Sequence, residues 1–196
     1  MKIIQHISIA GILLSSCLTL TTSSYAADTP IMLQQVSPVT VATPPARIAD
    51  VQTIDGIMAA LYDVISGGIG QARDWNRMRS LFIPEARIMA ISPKRDSKDL
   101  GLRILTLSDY IANSGPILVD TGFREKEISR KTELWGELAQ VFTTYETTMD
   151  KNKTTQRGIN SVQLMYDGTR WWIVSLLFEA ERAQLSLPDT YLNSTK

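Results

Sequence analysis

Residues 157–176, RGINSVQLMYDGTRWWIVSL, decide the fold class of this chain. Apolar, β-branched and aromatic residues fill two segments of strand length on either side of Asp167-Gly168, a pair that favours the positive φ angles of a two-residue hairpin turn. Such a turn places Leu164 opposite Trp171. The stretch is therefore predicted to form two paired strands of an antiparallel sheet.

Strand patterns continue on both sides of this hairpin. A second predicted hairpin, with its turn near residues 150–153, places Glu146 opposite Arg157 and Gln140 opposite Gln163, which gives a cross-strand pair of opposite charges. The segments predicted as strands are residues 86–92, 123–136, 137–149, 154–166 and 170–181. Helices followed by a long antiparallel meander are typical of an α+β fold.

Helical periodicity precedes the meander. Apolar residues recur at helical spacing in residues 54–65, and a Ser-Gly-Gly sequence is expected to end that helix. A short second helix is predicted over residues 73–82, with Asp74 as its N-cap. A third helix is predicted with Ser108 as its N-cap, and Pro116 is expected to bend or end it. We therefore expect about three helices packed on one face of a curved, mostly antiparallel sheet.

Both faces of the predicted meander carry apolar residues. Alternation places Val141 and Ile173 on one face, and Phe142 and Trp172 on the other. An antiparallel sheet usually exposes one face to water. We therefore expect the helices to cover one face and a second copy of the chain to cover the other, which predicts a homodimer through the sheet.

The first 26 residues have the pattern of a bacterial export signal. Lys2 precedes an apolar stretch, and the small residues that end at Ala26 favour cleavage there. The alternative is lipidation of Cys17 within the sequence LSSC, which would anchor the chain as a lipoprotein. A periplasmic or secreted protein is therefore predicted, with residues 27–50 as a flexible linker rich in Pro and Thr and residues 51–192 as the folded domain.

Composition and charge exclude several classes of function. Lys plus Arg and Asp plus Glu each total 20, so no excess of positive charge is available for nucleic acid. His6 is the single histidine and, like Cys17, lies in the predicted signal, so the folded domain has no His-based triad and no His or Cys metal ligand. Beyond the signal, no segment has the roughly 20 apolar residues of a transmembrane helix. No metal, cofactor or nucleic-acid partner is expected.

Three stretches of the chain carry a resemblance to a known superfamily. These are YDVISGGIGQARDWNRMRSLFIPEARI (residues 62–88), LWGELAQVFTTYET (residues 134–147), and RGINSVQL with RWWIVSL. They resemble a group of exported bacterial proteins, with no agreed activity, in the superfamily of nuclear transport factor 2, ketosteroid isomerase and the SnoaL-like proteins. The resemblance implies a cone-shaped fold in which the helices and the concave side of the sheet enclose a pocket.

The resemblance also selects the residues of that pocket. In the superfamily an aromatic residue late in the last strand lines the pocket, and Phe178 holds the corresponding place here. This implies that the face containing Phe178 lines the pocket and that Asn160 looks outward. The candidate ligand-binding residues are Gln140, Phe142, Glu146, Arg157, Ser161, Gln163, Trp172 and Phe178.

Each polar candidate has a structural alternative. Glu146 and Arg157 either form a cross-strand ion pair that fixes the register or hold a polar ligand. The amides of Gln140 and Gln163 either bond each other or face a ligand. The leading hypothesis is an exported domain that binds a small molecule. The alternatives are a cofactor-independent isomerase, dehydratase or cyclase that uses Glu146 or a tyrosine, and a structural module of the envelope. The sequence assigns no catalytic residue.

Overall fold

The computed structural model describes residues 43–94, 97 and 99–192. The predicted signal peptide lies outside them. In chain order the helices are α1 (Ile48–Val51), α2 (Ile54–Ile65), α3 (Trp75–Leu81) and α4 (Leu107–Thr121), and the strands are β1 (Phe82–Pro93), β2 (Leu100–Thr106), β3 (Phe123–Trp135), β4 (Leu138–Met149), β5 (Thr154–Tyr166) and β6 (Trp171–Ala180). A 3-10 turn follows at Asp189–Tyr191.

The strands form one 6-stranded sheet in the order β2-β1-β6-β5-β4-β3. Neighbouring strands are antiparallel except for β1, which runs parallel to β6. Because the helices pack against one face of a mostly antiparallel sheet, the predicted α+β class is confirmed. β2 and β3 are the two edge strands.

The first two predicted helices are confirmed as α2 and α3. The Thr53 side chain caps α2 by accepting a hydrogen bond from the Gly56 backbone N–H at 2.9 Å. The predicted N-cap Asp74 accepts from the Arg77 N–H at 2.8 Å. These caps satisfy backbone donors that the first turn of a helix leaves free, and they fix where each helix begins.

The third helix differs from its prediction at both ends. Thr106, not Ser108, is the N-cap, and it forms a reciprocal capping box with Asp109. Pro116 lies inside α4 and does not end it, because the helix continues to Thr121. It stops at Gly122, which has the left-handed conformation (φ 64°) that favours glycine.

Two further elements depart from the sequence predictions. β2 was not predicted, because it is a short segment beside a charged loop whose apolar residues show no regular alternation with polar ones. Its Leu100, Leu102 and Ile104 side chains are exposed. The folded part also begins before the predicted boundary at residue 51, since α1 is helical and Asp50 is buried.

The predicted register is correct for the β4–β5 hairpin and wrong for the β5–β6 hairpin. Glu146 pairs with Arg157 as predicted. In the next hairpin, Leu164 pairs with Ile173 rather than Trp171, because the turn spans residues 167–170. The carboxylate of Asp167 organises this longer turn by accepting from the Thr169 and Arg170 backbone N–H groups at 2.8 and 2.9 Å.

A β-bulge in β6 reverses the face of the residues that follow it. The register shifts between Leu164↔Ile173 and Gln163↔Ser175, so β6 has one extra residue at this point. Side chains alternate along a strand, and one extra residue therefore moves Phe178 away from the face of Ser161 and Gln163, with which it was predicted to lie. The same shift places Asn160 directly opposite Phe178.

The helix-covered face of the sheet carries the core. The buried apolar residues of the sheet that pack with the helices include Ala139, Val141, Val162, Leu164, Ile173 and Leu176. On the outer face, the C-terminal segment packs on β4. The ring of Tyr191 lies 5.3 Å from that of Phe142, and the Thr144 hydroxyl donates to the Tyr191 carbonyl oxygen at 2.6 Å. Part of the outer face is thus covered by the chain itself.

Candidate functional site

A cavity of about 260 Å³ lies between the helices and the sheet. The residues that line it are Leu61, Ile65, Met78, Phe82, Ile88, Tyr110, Ser114, Ile117, Leu118, Thr121, Phe123, Glu125, Tyr145, Thr147, Met149, Gln156, Asn160, Leu176, Phe178 and Ala180. Most of these side chains are apolar, and a few polar groups converge on the same space. This combination is typical of a small-molecule site.

Side chains from one side of helix α2 form part of one wall of the cavity, and side chains from the inner face of β6 form part of the other. Leu61 and Ile65 are four residues apart on α2, so both point to the same side. Leu176 and Phe178 are two residues apart on β6, after the bulge, and both face the helices. Without the bulge Phe178 would face outward.

Glu125 is the one carboxyl among the described lining residues. It lies near the start of the edge strand β3, and Ser66 at the end of α2 holds its backbone. The Glu125 N–H donates to the Ser66 hydroxyl oxygen at 2.8 Å. Its carbonyl oxygen accepts from the same hydroxyl at 3.1 Å, although the single proton is shared with the Tyr62 carbonyl oxygen. The backbone of this edge strand is therefore fixed relative to α2.

Burial among apolar side chains raises the pKa of Glu125 to about 7, because desolvation disfavours the charged carboxylate. The hydrogen bond from Asn160 acts in the opposite direction and lowers that pKa. The Asn160 amide nitrogen lies 3.3 Å from Oε1 of Glu125. Near neutral pH the carboxyl can therefore both release and accept a proton, as a general acid or base requires.

A series of hydrogen bonds connects Glu125 to the surface behind Asn160. The amide of Asn160 donates to the Tyr62 hydroxyl at 3.2 Å, and that hydroxyl lies 3.0 Å from the Thr143 oxygen. Thr143 donates in turn to Glu127 at 2.5 Å. Arg130 binds Glu127 at 2.8 Å. Asn160 is only 4% exposed, and a buried amide without hydrogen-bond partners would destabilise the folded protein. These partners remove that cost.

Two phenols complete the polar part of the cavity. Desolvation, together with the charge of Glu125, raises the pKa of Tyr110 and of Tyr145 well above the ordinary value of a tyrosine. Both phenols therefore stay protonated and can donate hydrogen bonds at neutral pH. Tyr145 lies across Gly158, where a Cβ would collide with its hydroxyl and with the Glu179 carbonyl oxygen. Glycine at this position makes room for the ring.

Of the sequence-predicted site residues, Phe178 lines the cavity. The prediction that Asn160 looks outward is wrong, because its amide bonds to Tyr62 on α2. The prediction that the other candidates share a face with Phe178 is also wrong, because it took β6 to be regular and the bulge breaks that regularity. The candidates that do not line this cavity are Gln140, Phe142, Glu146, Arg157, Ser161, Gln163 and Trp172. A ligand-binding role for these residues stays a prediction.

The two predicted glutamines do not bond each other. Gln140 donates to the Ser161 hydroxyl at 2.9 Å, and Gln163 accepts from the Ser175 hydroxyl at 3.0 Å. Gln163 also borders a shallow apolar depression beside Leu138. Both amides therefore have partners on the outer face of the sheet.

The aromatic and charged candidates have partners as well. The Trp172 indole N–H donates to Asp167 at 2.6 Å, and the Arg170 guanidinium lies 3.6 Å from the centre of the Trp172 ring. Glu146 and Arg157 border a polar cleft that adjoins the cavity and shares Thr147, Met149 and Gln156 with it, but they do not line the cavity itself. These contacts fix side chains near the turns and at the rim of the sheet.

Sequence reasoning missed the polar centre of the cavity. Glu125 lies in the segment FREKEISRK, where charged residues occupy both faces and no apolar alternation marks the inner one. The available signal was Phe123, which has the same parity as Glu125 and Glu127 and therefore shares their side of the strand. The sequence predicts Asn160 on the outer face because a regular β6 would put Phe178 on the opposite face from it.

Neither a metal site nor a membrane span is found in the part of the chain that the structure covers. Within residues 43–94, 97 and 99–192, no group of three or more His, Cys, Asp or Glu side chains is arranged to hold a metal ion. Among these same residues, no helix combines the length and the apolar character that crossing a bilayer requires.

Solved structures share the architecture just described. No protein-family model matches the sequence, and no curated protein matches it significantly. A protein of unknown function with a cystatin-like fold from Nostoc punctiforme superposes with a TM-score of 0.50 and 9% identity, over 66% of this chain and 90% of that one.

Two further similar structures carry enzyme names. A proposed dehydratase of the nuclear transport factor 2-like family from Streptomyces avermitilis superposes with a TM-score of 0.51 and 15% identity, over 68% of this chain and 97% of that one. A proposed scytalone dehydratase from Novosphingobium aromaticivorans superposes with a TM-score of 0.50 and 10% identity, over 74% of this chain and 91% of that one. The chain therefore has the cone-shaped fold of the nuclear transport factor 2-like proteins. Identities this low show the fold alone.

Proposed function

We propose that the domain binds a small, mainly apolar molecule in the cavity and moves a proton on it, with Glu125 as general acid and base. The observation that carries this proposal is the position of the Glu125 carboxyl, which lies within an apolar cavity and accepts a hydrogen bond from the Asn160 amide. A carboxyl in such surroundings exchanges its proton near neutral pH. No cofactor is needed for this step.

Proton abstraction next to a carbonyl needs a base and also hydrogen-bond donors for the carbonyl oxygen. The neighbouring phenols can be those donors. When a base removes such a proton, negative charge develops on the carbonyl oxygen, and hydrogen-bond donors that face it stabilise that charge. Tyr110 and Tyr145 line the same cavity as Glu125 and stay protonated at neutral pH. Isomerisation of an enolisable ketone and dehydration of a β-hydroxy ketone both begin with this step.

Deuterium exchange tests the proposal without knowledge of the natural substrate. The purified domain is incubated in D₂O with 2-tetralone, 2-indanone and 3-methylcyclohex-2-enone, and the loss of the α-proton signals is followed by proton NMR. We expect exchange of at least one ketone above the buffer rate, and Glu125→Gln should reduce the enzymatic part by about 100-fold or more.

A matched variant controls for the loss of a carboxylate. Glu133 lies on the same strand with an exposed side chain, so Glu133→Gln should leave the exchange rate unchanged. Exchange at the buffer rate for every ketone would exclude the proposed reaction for this class. Exchange that persists in Glu125→Gln would assign the base to another group.

We further propose that the chain acts in the bacterial envelope, either periplasmic or secreted. Support comes from the composition of residues 1–26 and from the small residues that end at Ala26. The intact mass of the exported protein tests this: a chain that begins at Ala27 is expected. A diacylglyceryl group on Cys17 would instead indicate a lipoprotein.

We also propose that two copies of the chain form a homodimer through the outer face of the sheet. In support, the contacts of the described C-terminal segment with that face lie around Phe142 and Thr144. Leu138 and Trp135 are 54% and 84% exposed at its edge. A second copy could bury these side chains.

A further inference from the structure

The hydrogen bonds behind Asn160 can run in one direction only. Arg130 donates to Glu127, and that carboxylate accepts the proton of the Thr143 hydroxyl. Thr143 has a single proton, so its oxygen must accept the proton of the Tyr62 hydroxyl at 3.0 Å. The Tyr62 oxygen is then the acceptor for the Asn160 amide at 3.2 Å. Each hydrogen bond in the series therefore determines which atom donates in the next one.

This direction decides which end of the Asn160 amide faces Glu125. The NH₂ group has two protons, of which one goes to Tyr62 and the other to Oε1 of Glu125 at 3.3 Å. The oxygen and nitrogen of an amide have nearly the same shape, and only such a network distinguishes them. If the amide were reversed, its oxygen would face the Glu125 carboxylate and the Tyr62 oxygen would lose its donor.

The amide oxygen of Asn160 remains available. No described residue donates a hydrogen bond to Oδ1. Yet within the described part of the chain no fully buried side-chain oxygen or nitrogen lacks a partner, so Oδ1 is not completely enclosed. Because Asn160 is 4% exposed and lines the cavity, the cavity is the open space that this oxygen can contact.

We propose that Tyr62 and Thr143 are positioning residues that fix the Asn160 amide, so that an N–H group faces Glu125 and the carbonyl oxygen receives a hydroxyl or N–H group of the ligand. Neither Tyr62 nor Thr143 lines the cavity, so both act through Asn160. The inference rests on the proposed function and narrows its substrate class. The ligand is then a mainly apolar compound with a hydrogen-bond donor beside the position that Glu125 reaches.

Titration of Glu125 in two variants of Thr143 tests the positioning role. Thr143→Val removes the hydroxyl at nearly constant shape, whereas Thr143→Ser keeps it. The carboxyl of Glu125 is followed by ¹³C NMR and assigned with Glu125→Gln. In Thr143→Val the amide is free to reverse, and we expect the pKa of Glu125 to rise by about one unit, because the charged form loses a hydrogen bond. In Thr143→Ser the value should stay that of the wild type.

Other groups around Glu125 do not produce this difference. The titratable side chains that face it are Tyr62 from α2, Tyr110 from α4 and Tyr145 from β4, and all three phenols stay protonated through neutral pH. Tyr62→Phe removes the same link from the other end and gives a second measurement if Thr143→Val does not fold. An unchanged Glu125 titration in the folded variant, or an equal change in Thr143→Ser, would overturn the proposal.

A pair of ligands tests the role of the amide oxygen. 2-Naphthol has a hydroxyl donor, whereas 2-methoxynaphthalene has the same ring system without one. By isothermal titration calorimetry the wild type and Thr143→Ser should prefer 2-naphthol by about tenfold, and Thr143→Val should lose this preference. Equal binding of the two compounds, or of neither, in the wild type would overturn the assignment of Oδ1. The Glu125 titration needs no substrate, so it stands even if no ketone exchanges deuterium.

Discussion

Glu146 and Arg157 lie directly opposite each other on β4 and β5, but their side chains bond to other residues. Glu146 pairs with Lys126 at 2.7 Å. Arg157 donates to both carboxylate oxygens of Glu181, at 2.8 and 3.2 Å. Opposite positions in a ladder bring Cβ atoms close together, but the side chains can still turn to better partners. The arginine binds Glu181 because that carboxylate offers both oxygens to the guanidinium.

Two double-mutant cycles should show which carboxylate Arg157 interacts with. Replacing Arg157 and Glu181 by alanine, singly and together, should give a coupling of about 0.5 to 1 kcal/mol, since the arginine is partly exposed to water. The cycle of Arg157 with Glu146 should give about 0.3 kcal/mol or less. Urea unfolding supplies the free energies. The reverse order of the two couplings would mean that Arg157 turns to Glu146 in solution.

The sequence predicted the fold wherever pattern and turn chemistry agreed. The α2 and α3 helices, the long strands β3 to β6 and the β4–β5 register follow from periodicity and caps. The β5–β6 register does not, because Asp167-Gly168 forms part of a longer turn: Gly168 has a positive φ of 93°, and Asp167 does not have a positive φ. The bulge in β6 leaves no mark in a sequence that is apolar on both faces.

The candidate site depended on that single extra residue. A regular β6 puts Phe178 on the same face as Ser161 and Gln163. Once Phe178 is taken to line the pocket, alternation therefore assigns those two residues to it and removes Asn160. The carboxyl of Glu125 could not be distinguished from its charged neighbours, because its burial comes from α2 and α4 packing over an edge strand. Tertiary packing, rather than local sequence, makes this residue unusual.

Glu125 should make the protein less stable as the pH rises. Its pKa is 4.5 in ordinary surroundings and about 7 in the folded protein, so between these values the folded state binds more protons than the unfolded state. The stabilisation is fully present below about pH 4.5 and is lost as the pH rises through 7, with a total of about 3 kcal/mol. The free energy of unfolding of the wild type minus that of Glu125→Gln should fall accordingly between pH 4 and pH 8.

This difference isolates Glu125, because both proteins share every other titrating group. Hydrogen bonds from Arg77 lower the pKa of Asp50, and the backbone N–H of Leu187 lowers that of Glu181. Those carboxylates act in the opposite direction, losing stability as the pH falls, and they cancel in the subtraction. A difference that does not change with pH would show that the Glu125 carboxyl is hydrated in the folded protein.

Arg73 should be essential for stability although it has no role in the chemistry. Its buried guanidinium donates to the backbone carbonyl oxygens of Ile65, Gly67, Leu118 and Phe123, and to that of Gln71. These bonds join the ends of α2 and α4 to the start of β3, two residues before Glu125. A lysine cannot match the geometry of the planar guanidinium.

Arg73→Lys should therefore lose about 3 kcal/mol of unfolding free energy, because several carbonyl oxygens lose their donors. Arg103→Lys is the matched control: its side chain is exposed on β2, and the same replacement there should change the stability by less than about 0.5 kcal/mol. Both values come from urea unfolding. Equal small losses would mean that water replaces the guanidinium among these carbonyl groups.

The outer face of the sheet should decide the oligomeric state. If a second copy covers this face, sedimentation equilibrium at micromolar concentration should give a dimer, and Leu138→Glu should weaken it by burying a charge against apolar side chains. Ile69→Glu provides the control, since Ile69 is 59% exposed, close to the 54% of Leu138, but lies in the loop after α2. A monomeric wild type, or equal effects of the two replacements, would mean that the C-terminal segment through Tyr191 covers as much of this face as the fold requires.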